Sequence, residues 1–179
     1  VRLPGRHAQH ELAQRGVRAP GDMAREEHRR VAVLPGPIRG LGIGERDVVA
    51  YLLPNSLETV VTLLGGAVAG VVNAINPLLD PEQIASILRE TGAKVLVTLR
   101  AFPKTDVAQK AAAAVALAPG VTTVLEVDLN RYLTPPKSWI LPLIRPKNPV
   151  THKARVLNFR VELARQPTTL GFADSNGDR

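Results

Sequence analysis

The feature that most constrains this chain is a recurrence. Short runs of β-branched, apolar residues begin near 48, 71, 94 and 121, which is 23, 23 and 27 residues apart. Each interval holds a stretch of helical period, and a parallel neighbour strand requires a crossover of that length, so the spacing predicts right-handed βαβ units over one sheet. Val48 to Leu53 reads as a buried strand closed by Pro54. Asn55 or Ser56 caps a helix running to about Ala69, with Leu57, Val60, Val61, Leu64 and Val68 as its core-facing stripe and Gly70 as its stop. Val71 to Ile75 is a second strand. Asp80, Pro81 and Glu82 open a second helix, whose Ile84, Ile87, Leu88 and Thr91 share a face up to Gly92. Lys94 to Leu99 is a third strand, a third helix runs from about Thr105 to Leu117, Pro119 and Gly120 break it, and Val121 to Val127 is a fourth strand. The expected fold is α/β, a parallel doubly wound β-α-β-α-β-α-β unit with irregular flanks.

The flanks differ in kind. Residues 1–40 are rich in Arg, Pro and Gly and are read as irregular, with one short helix from Met23 to Val33 behind Asp22. Residues 41–130 form the α/β unit. Residues 131–179 are a Pro-rich basic extension, with one helix expected over Thr151 to Arg165 presenting Val156, Phe159 and Leu163. The net charge of +7 sits in these flanks: residues 1–46 carry nine Arg against five acids, residues 131–179 nine bases against three acids, and residues 47–130 five bases against eight acids. The best-patterned region is therefore mildly acidic, which argues against a nucleic-acid partner, as does an aromatic content of 3%. The absence of cysteine excludes disulfides, thiolate metal sites and thiol nucleophiles and favours a reducing, cytoplasmic setting. The N-terminus has no apolar core before a small-residue cleavage site, and its first 40 residues have no serine, so neither signal nor transit peptide is expected.

Candidate sites are few. Residues 59–79 carry no charge and contain Gly66 and Gly70 at GxxxG spacing, so a membrane span is one reading. A buried helix followed by a buried strand gives the same pattern and accounts for Asn73, Asn76 and Pro77. Gly40, Gly42 and Gly44 precede a strand, where a dinucleotide loop would follow one, and are read as a turn. Asp174, Asn176, Gly177 and Asp178 begin like a calcium loop that the chain does not complete, and His7, His10 and His28 lack a ligand frame. Asp106 and Asp128 suit a helix start and a strand end. The Trp139 to Ile144 run, flanked by Lys137, Arg145 and Lys147, suits either peripheral contact with an anionic membrane or cover for the rest of a larger protein. There is no nucleophile elbow and no GxxxxGK[ST] loop.

Leu41-Gly42-Ile43-Gly44-Glu45-Arg46-Asp47 through Pro54-Asn55-Ser56, then Gly66 to Gly70, Asn76-Pro77-Leu78-Leu79 and Ala93 to Thr98, resemble the N-terminal part of AMP-forming acyl-CoA synthetases, the adenylate-forming superfamily. The similarity runs from about Leu41 to Val127, and the tail from Asn130 resembles a fatty acyl-CoA synthetase-like continuation. The resemblance implies a parent that uses Mg²⁺, ATP and CoA to convert a fatty or other carboxylic acid into an acyl-adenylate and then a thioester. It also implies a Ser/Thr/Gly loop with Lys and a mobile C-terminal domain, neither of which this sequence contains, so no catalytic, cofactor-binding or metal residue is assigned here. The Pro54-Asn55-Ser56 corner and the Asn76-Pro77 turn are expected to be architectural. Leu34-Pro35-Gly36-Pro37 departs from the family, which has an amphipathic helix there, and suggests that the N-terminal segment is mis-framed. The leading expectation is a truncated synthetase, inactive alone and exposing an apolar face and a free strand edge; the alternatives are a non-enzymatic α/β binding module and a membrane protein spanning 59–79.

Overall fold

A computed structural model describes residues 39–103, 105–133, 139–140, 143 and 150–165. The helix expected at Met23 to Val33 and the turn at Asp174 to Asp178 lie outside these residues. Strands β1 (Val48–Leu52), β2 (Val71–Ala74), β3 (Ala93–Leu99), β4 (Thr123–Val127) and β5 (Arg155–Asn158) form one sheet in the order β2-β1-β3-β4-β5. Every neighbouring pair is parallel.

Helices α1 (Leu57–Ala69), α2 (Pro81–Thr91) and α3 (Val107–Leu117) make the first three crossovers, and the short α4 (Phe159–Ala164) follows β5. The chain steps from β1 outward to β2, then back across β1 to β3 and on to β4. Right-handed returns therefore put α1 on one face and α2 with α3 on the other. Consistent with this, α2 and α3 pack on each other, and Arg89 of α2 donates to the Leu117 carbonyl at 3.0 Å. Local chemistry sets the boundaries as expected. The Ser56 side chain accepts from Thr59 N, Pro81 occupies the first turn of α2 behind Asp80, and Gly92 ends α2 at φ 66°. Leu52, Val49, Val95, Leu96, Val97 and Leu125 fill one continuous core between the layers.

Three expectations are corrected. First, the stripe Leu57, Val60, Leu64, Val68 is not the core face of α1. The helix buries Glu58, Val61, Thr62, Gly65, Gly66 and Ala69, and of the expected stripe only Val61 is buried. Two adjacent glycines let the backbone lie close on the sheet, and that approach selects the small-residue face over the branched one. Second, Thr151 to Arg165 is not one helix. Arg155–Asn158 adds as a strand to β4, and only Phe159–Ala164 is helical. The open ladder of β4 outweighs local helical spacing. Third, the membrane reading of residues 59–79 fails: they hold the last eleven residues of the 13-residue α1, then Gly70, β2 and a turn. No helix among the described residues is long and apolar enough to cross a membrane.

Candidate functional site

In an open parallel sheet, ligands meet the carboxyl ends of the strands, where the chain reverses its direction of winding. Here that point lies between β1 and β3, and the rim continues over β4 and β5. Four of the five strands end on a local cap. After β1, Thr59 Oγ1 donates to the Pro54 carbonyl at 2.6 Å, closing the corner that starts α1. After β2, the Asn76 side chain accepts from Leu78 N at 2.9 Å, an Asx turn. After β4, Asp128 accepts from Asn130 N at 3.0 Å and, at 3.4 Å, from Arg100 beyond β3. After β5, Asn158 accepts from both Arg160 N and Val161 N.

One cleft of about 350 Å³ opens on this rim, lined by Glu58, Val127, Asp128, Asn130, Asn158, Phe159 and Arg160. Glu58 is 5% exposed, at the start of α1, and the Tyr132 hydroxyl donates to its carboxylate at 2.7 Å. That bond ties the first crossover helix to the 3-10 turn Leu129–Tyr132 following β4, across 74 residues. The Asn130 Oδ1 atom is buried there with no hydrogen-bond partner among the described residues. The cleft thus offers two carboxylates, two amides and one guanidinium around an aromatic side chain. It anchors polar groups but contains no nucleophile paired with a base. No group of three His, Asp or Glu among the described residues suits a metal ion. The rim's carboxylates are committed to Tyr132, Arg100 and backbone N–H groups, so the donor set does not fit the Mg²⁺ that the resemblance implies.

The opposite end of the sheet carries a structural knot. Asp47 accepts from Gly44 N at 2.9 Å, pairs with Lys94 at 2.7 Å, and its carbonyl accepts from Val71 N at 3.0 Å. The Gly44 N–H bond and then the Lys94 side chain hold the Asp47 carboxyl below its ordinary value of 3.8. The glycine-rich stretch is the turn expected of it, with Gly42 at φ 81°. It faces away from the rim, so the Leu41 to Asp47 motif is architectural.

Asp106 precedes α3 and pairs with Lys110 at 3.4 Å, while Asp128 takes the strand-end role. Trp139, Ile140 and Leu143 are exposed. Sequence reasoning missed Glu58, Tyr132 and His152. His152 is buried, with Nε2 3.5 Å from the Glu126 carboxylate, too long for a well-formed hydrogen bond, and neither ring nitrogen has a hydrogen-bond partner among the described residues. No local pattern marks these residues, because their partners lie on other crossovers.

The family model described as "AMP-binding enzyme" matches residues 25–155. A 4-coumarate–CoA ligase of Pinus taeda is 38% identical over 63 residues, 35% of this chain and 12% of that protein. A long-chain-fatty-acid–CoA ligase of Escherichia coli O157:H7 is 37% identical over 68 residues, 37% of this chain and 12% of that protein. Among solved structures, an anthranilate CoA ligase in complex with anthranoyl-AMP superposes with TM-score 0.60 at 21% identity, over 83% of this chain and 23% of its own. A benzoate CoA ligase from Burkholderia xenovorans LB400 gives TM-score 0.60 at 16% identity, over 85% and 24%. The matched part of this chain thus spans about an eighth of the curated relatives' length and under a quarter of each solved chain.

Proposed function

The chain belongs to the AMP-binding enzyme family, and from that premise we propose that it is the N-terminal part of a fatty acyl-CoA synthetase, inactive on its own. The single observation that carries the reading is the mismatch between fold and chemistry. The parallel sheet is that of CoA ligases, yet among the described residues its rim holds committed carboxylates, amide caps and the Arg160 guanidinium, with no nucleophile paired with a base. In the parent, a carboxylate oxygen attacks the α-phosphate of ATP, pyrophosphate leaves, and the CoA thiol then displaces AMP from the acyl-adenylate. Mg²⁺ offsets phosphate charge in such a step. The residues of this chain support that chemistry from beneath. Ser56, Asn76, Asp128 and Asn158 fix the strand ends, and the Glu58–Tyr132 bond holds the β1 corner against the β4 turn.

A fatty acid is the favoured substrate class, supported by the long-chain-fatty-acid relative and the tail resemblance; the 4-coumarate and benzoate ligases make an aryl acid the competing one. We place the parent in the cytoplasm, and peripheral membrane contact through Trp139 to Ile144 fits their exposure where described. The test is acid-dependent ATP–pyrophosphate exchange by the purified chain, run with hexadecanoate and with 4-coumarate. The expected rate equals that of a mock preparation with both acids. Exchange above mock that survives repurification would overturn the proposal of an inactive chain.

A further inference from the structure

The connection from β4 to β5 lies in the longest stretch of the chain without an acid. Residues 129–161 carry seven Lys or Arg and no Asp or Glu. The acids that bound the stretch are engaged: Asp128 accepts from Arg100 at 3.4 Å, and Glu162 from Arg165 at 2.7 Å. Lys153, Arg155 and Arg160 are exposed and have no ion-pair partner among the described residues. Nothing acidic within this stretch therefore offsets its charge.

Its middle is apolar. Residues 139, 140 and 143 are helical. Trp139 and Leu143 are 73% and 78% exposed, two of the three most exposed large apolar side chains among the described residues, and Ile140 is 46% exposed. The covalent chain sets cations on both sides of this turn. Lys137 stands two residues before Trp139, and Arg145 and Lys147 stand two and four residues after Leu143. Two residues span at most about 7 Å, within reach of a long basic side chain.

We propose that this turn is an interfacial anchor that docks the chain on an anionic lipid bilayer, with Trp139, Ile140 and Leu143 entering the boundary between headgroups and acyl chains and Lys137, Arg145 and Lys147 meeting lipid phosphates. The inference rests on the peripheral contact proposed above and names its partner. Two contrasts favour a bilayer. The centre of a protein–protein interface is depleted of charge, whereas here cations border the tryptophan on both sides. A single-stranded nucleic acid would use the cations and one ring, and leaves Ile140 and Leu143 in water.

Trp139 is the chain's one tryptophan, so its emission reports the anchor directly. Titrating the full chain with mixed phosphatidylcholine–phosphatidylglycerol vesicles is expected to shift that emission to the blue and to carry the chain upward in flotation, both reversed at about 0.5 M NaCl. Arg145→Gln with Lys147→Gln, and separately Trp139→Ala, are each expected to weaken flotation at least about tenfold with unchanged circular dichroism. Arg29→Gln with Arg30→Gln removes equal charge from the other basic flank and is expected to leave flotation unchanged. An emission indifferent to the mixed vesicles overturns the proposal. So does an equal loss from the Arg29 and Arg30 pair, which would reduce binding to net charge, or displacement of the vesicles by oligouridylate, which would assign the cations to nucleic acid. Equal binding to phosphatidylcholine alone overturns the anionic anchor and leaves peripheral contact standing. None of these outcomes bears on ATP–pyrophosphate exchange, so the inactive-synthetase reading stands or falls separately.

Discussion

Gly70 is fixed by space. Its φ of −169° is extended backbone open to any residue, yet a Cβ there would meet the carbonyl oxygens of Asp47 at 2.5 Å and Gly44 at 2.9 Å. Both are main-chain atoms of the turn that feeds β1, so they do not swing aside as a side-chain tip does. Gly70→Ala is expected to cost about 1–3 kcal/mol in urea unfolding, and an unchanged midpoint would show that the 44–47 turn yields freely. Asp47, in the same knot, makes stability depend on acid. Its folded carboxyl titrates below the ordinary 3.8, so its contribution is complete above that value and lost as pH falls through the lower folded value. Asp47→Asn should therefore flatten the acid limb of the stability profile. A mutant profile parallel to that of the wild type from neutral pH to pH 2 would contradict the assignment. Both residues lie in motifs that resemble the synthetase family, and both earn their place by joining the starts of β1, β2 and β3.

At the scale of elements, α1 carries the sharpest lesson. Its Val60, Leu63, Leu64 and Val68 are exposed, while Gly65, Gly66, Ala69 and Thr62 face inward with Val61, Thr62 donating to the Glu58 carbonyl at 2.7 Å. Truncation separates the two faces. Val61→Ala removes buried methyl groups and is expected to cost about 2 kcal/mol, whereas Leu64→Ala should change stability by less than about 0.5 kcal/mol. Equal losses at the two positions would restore the face that hydrophobic periodicity suggests. In α4 the Asn158 amide satisfies two otherwise free N–H groups, so Asn158→Ala should cost about 1 kcal/mol, and a neutral outcome would mean that water caps that short helix equally well.

For the molecule as a whole, one buried cluster runs from Ile43 through the strands to Phe159, joining the β1 entry to the edge helix α4. A single core predicts a single cooperative urea transition, with tryptophan-independent far-ultraviolet and hydrogen-exchange probes coinciding; two separated transitions would mean that β5 and α4 form a unit of their own. The order of elements through β4, their boundaries and the parallel α/β class were legible from the chain alone, because caps such as Ser56, Asp80 and Gly92 act over three or four residues and crossover length is a local quantity. At the rim, the strand-end roles of Ser56, Asn76 and Asp128 were legible for the same reason. The placement of β1 between β2 and β3, the recruitment of Arg155–Asn158 as a fifth strand, the inward face of α1 and the Glu58–Tyr132 bond were decided only in the folded state. Each depends on what a distant segment presents: an unpaired ladder, a close-lying sheet, or a hydroxyl 74 residues away. Short-range torsional and capping preferences write themselves into neighbouring residues, whereas long-range pairing exists only once the layers have come together.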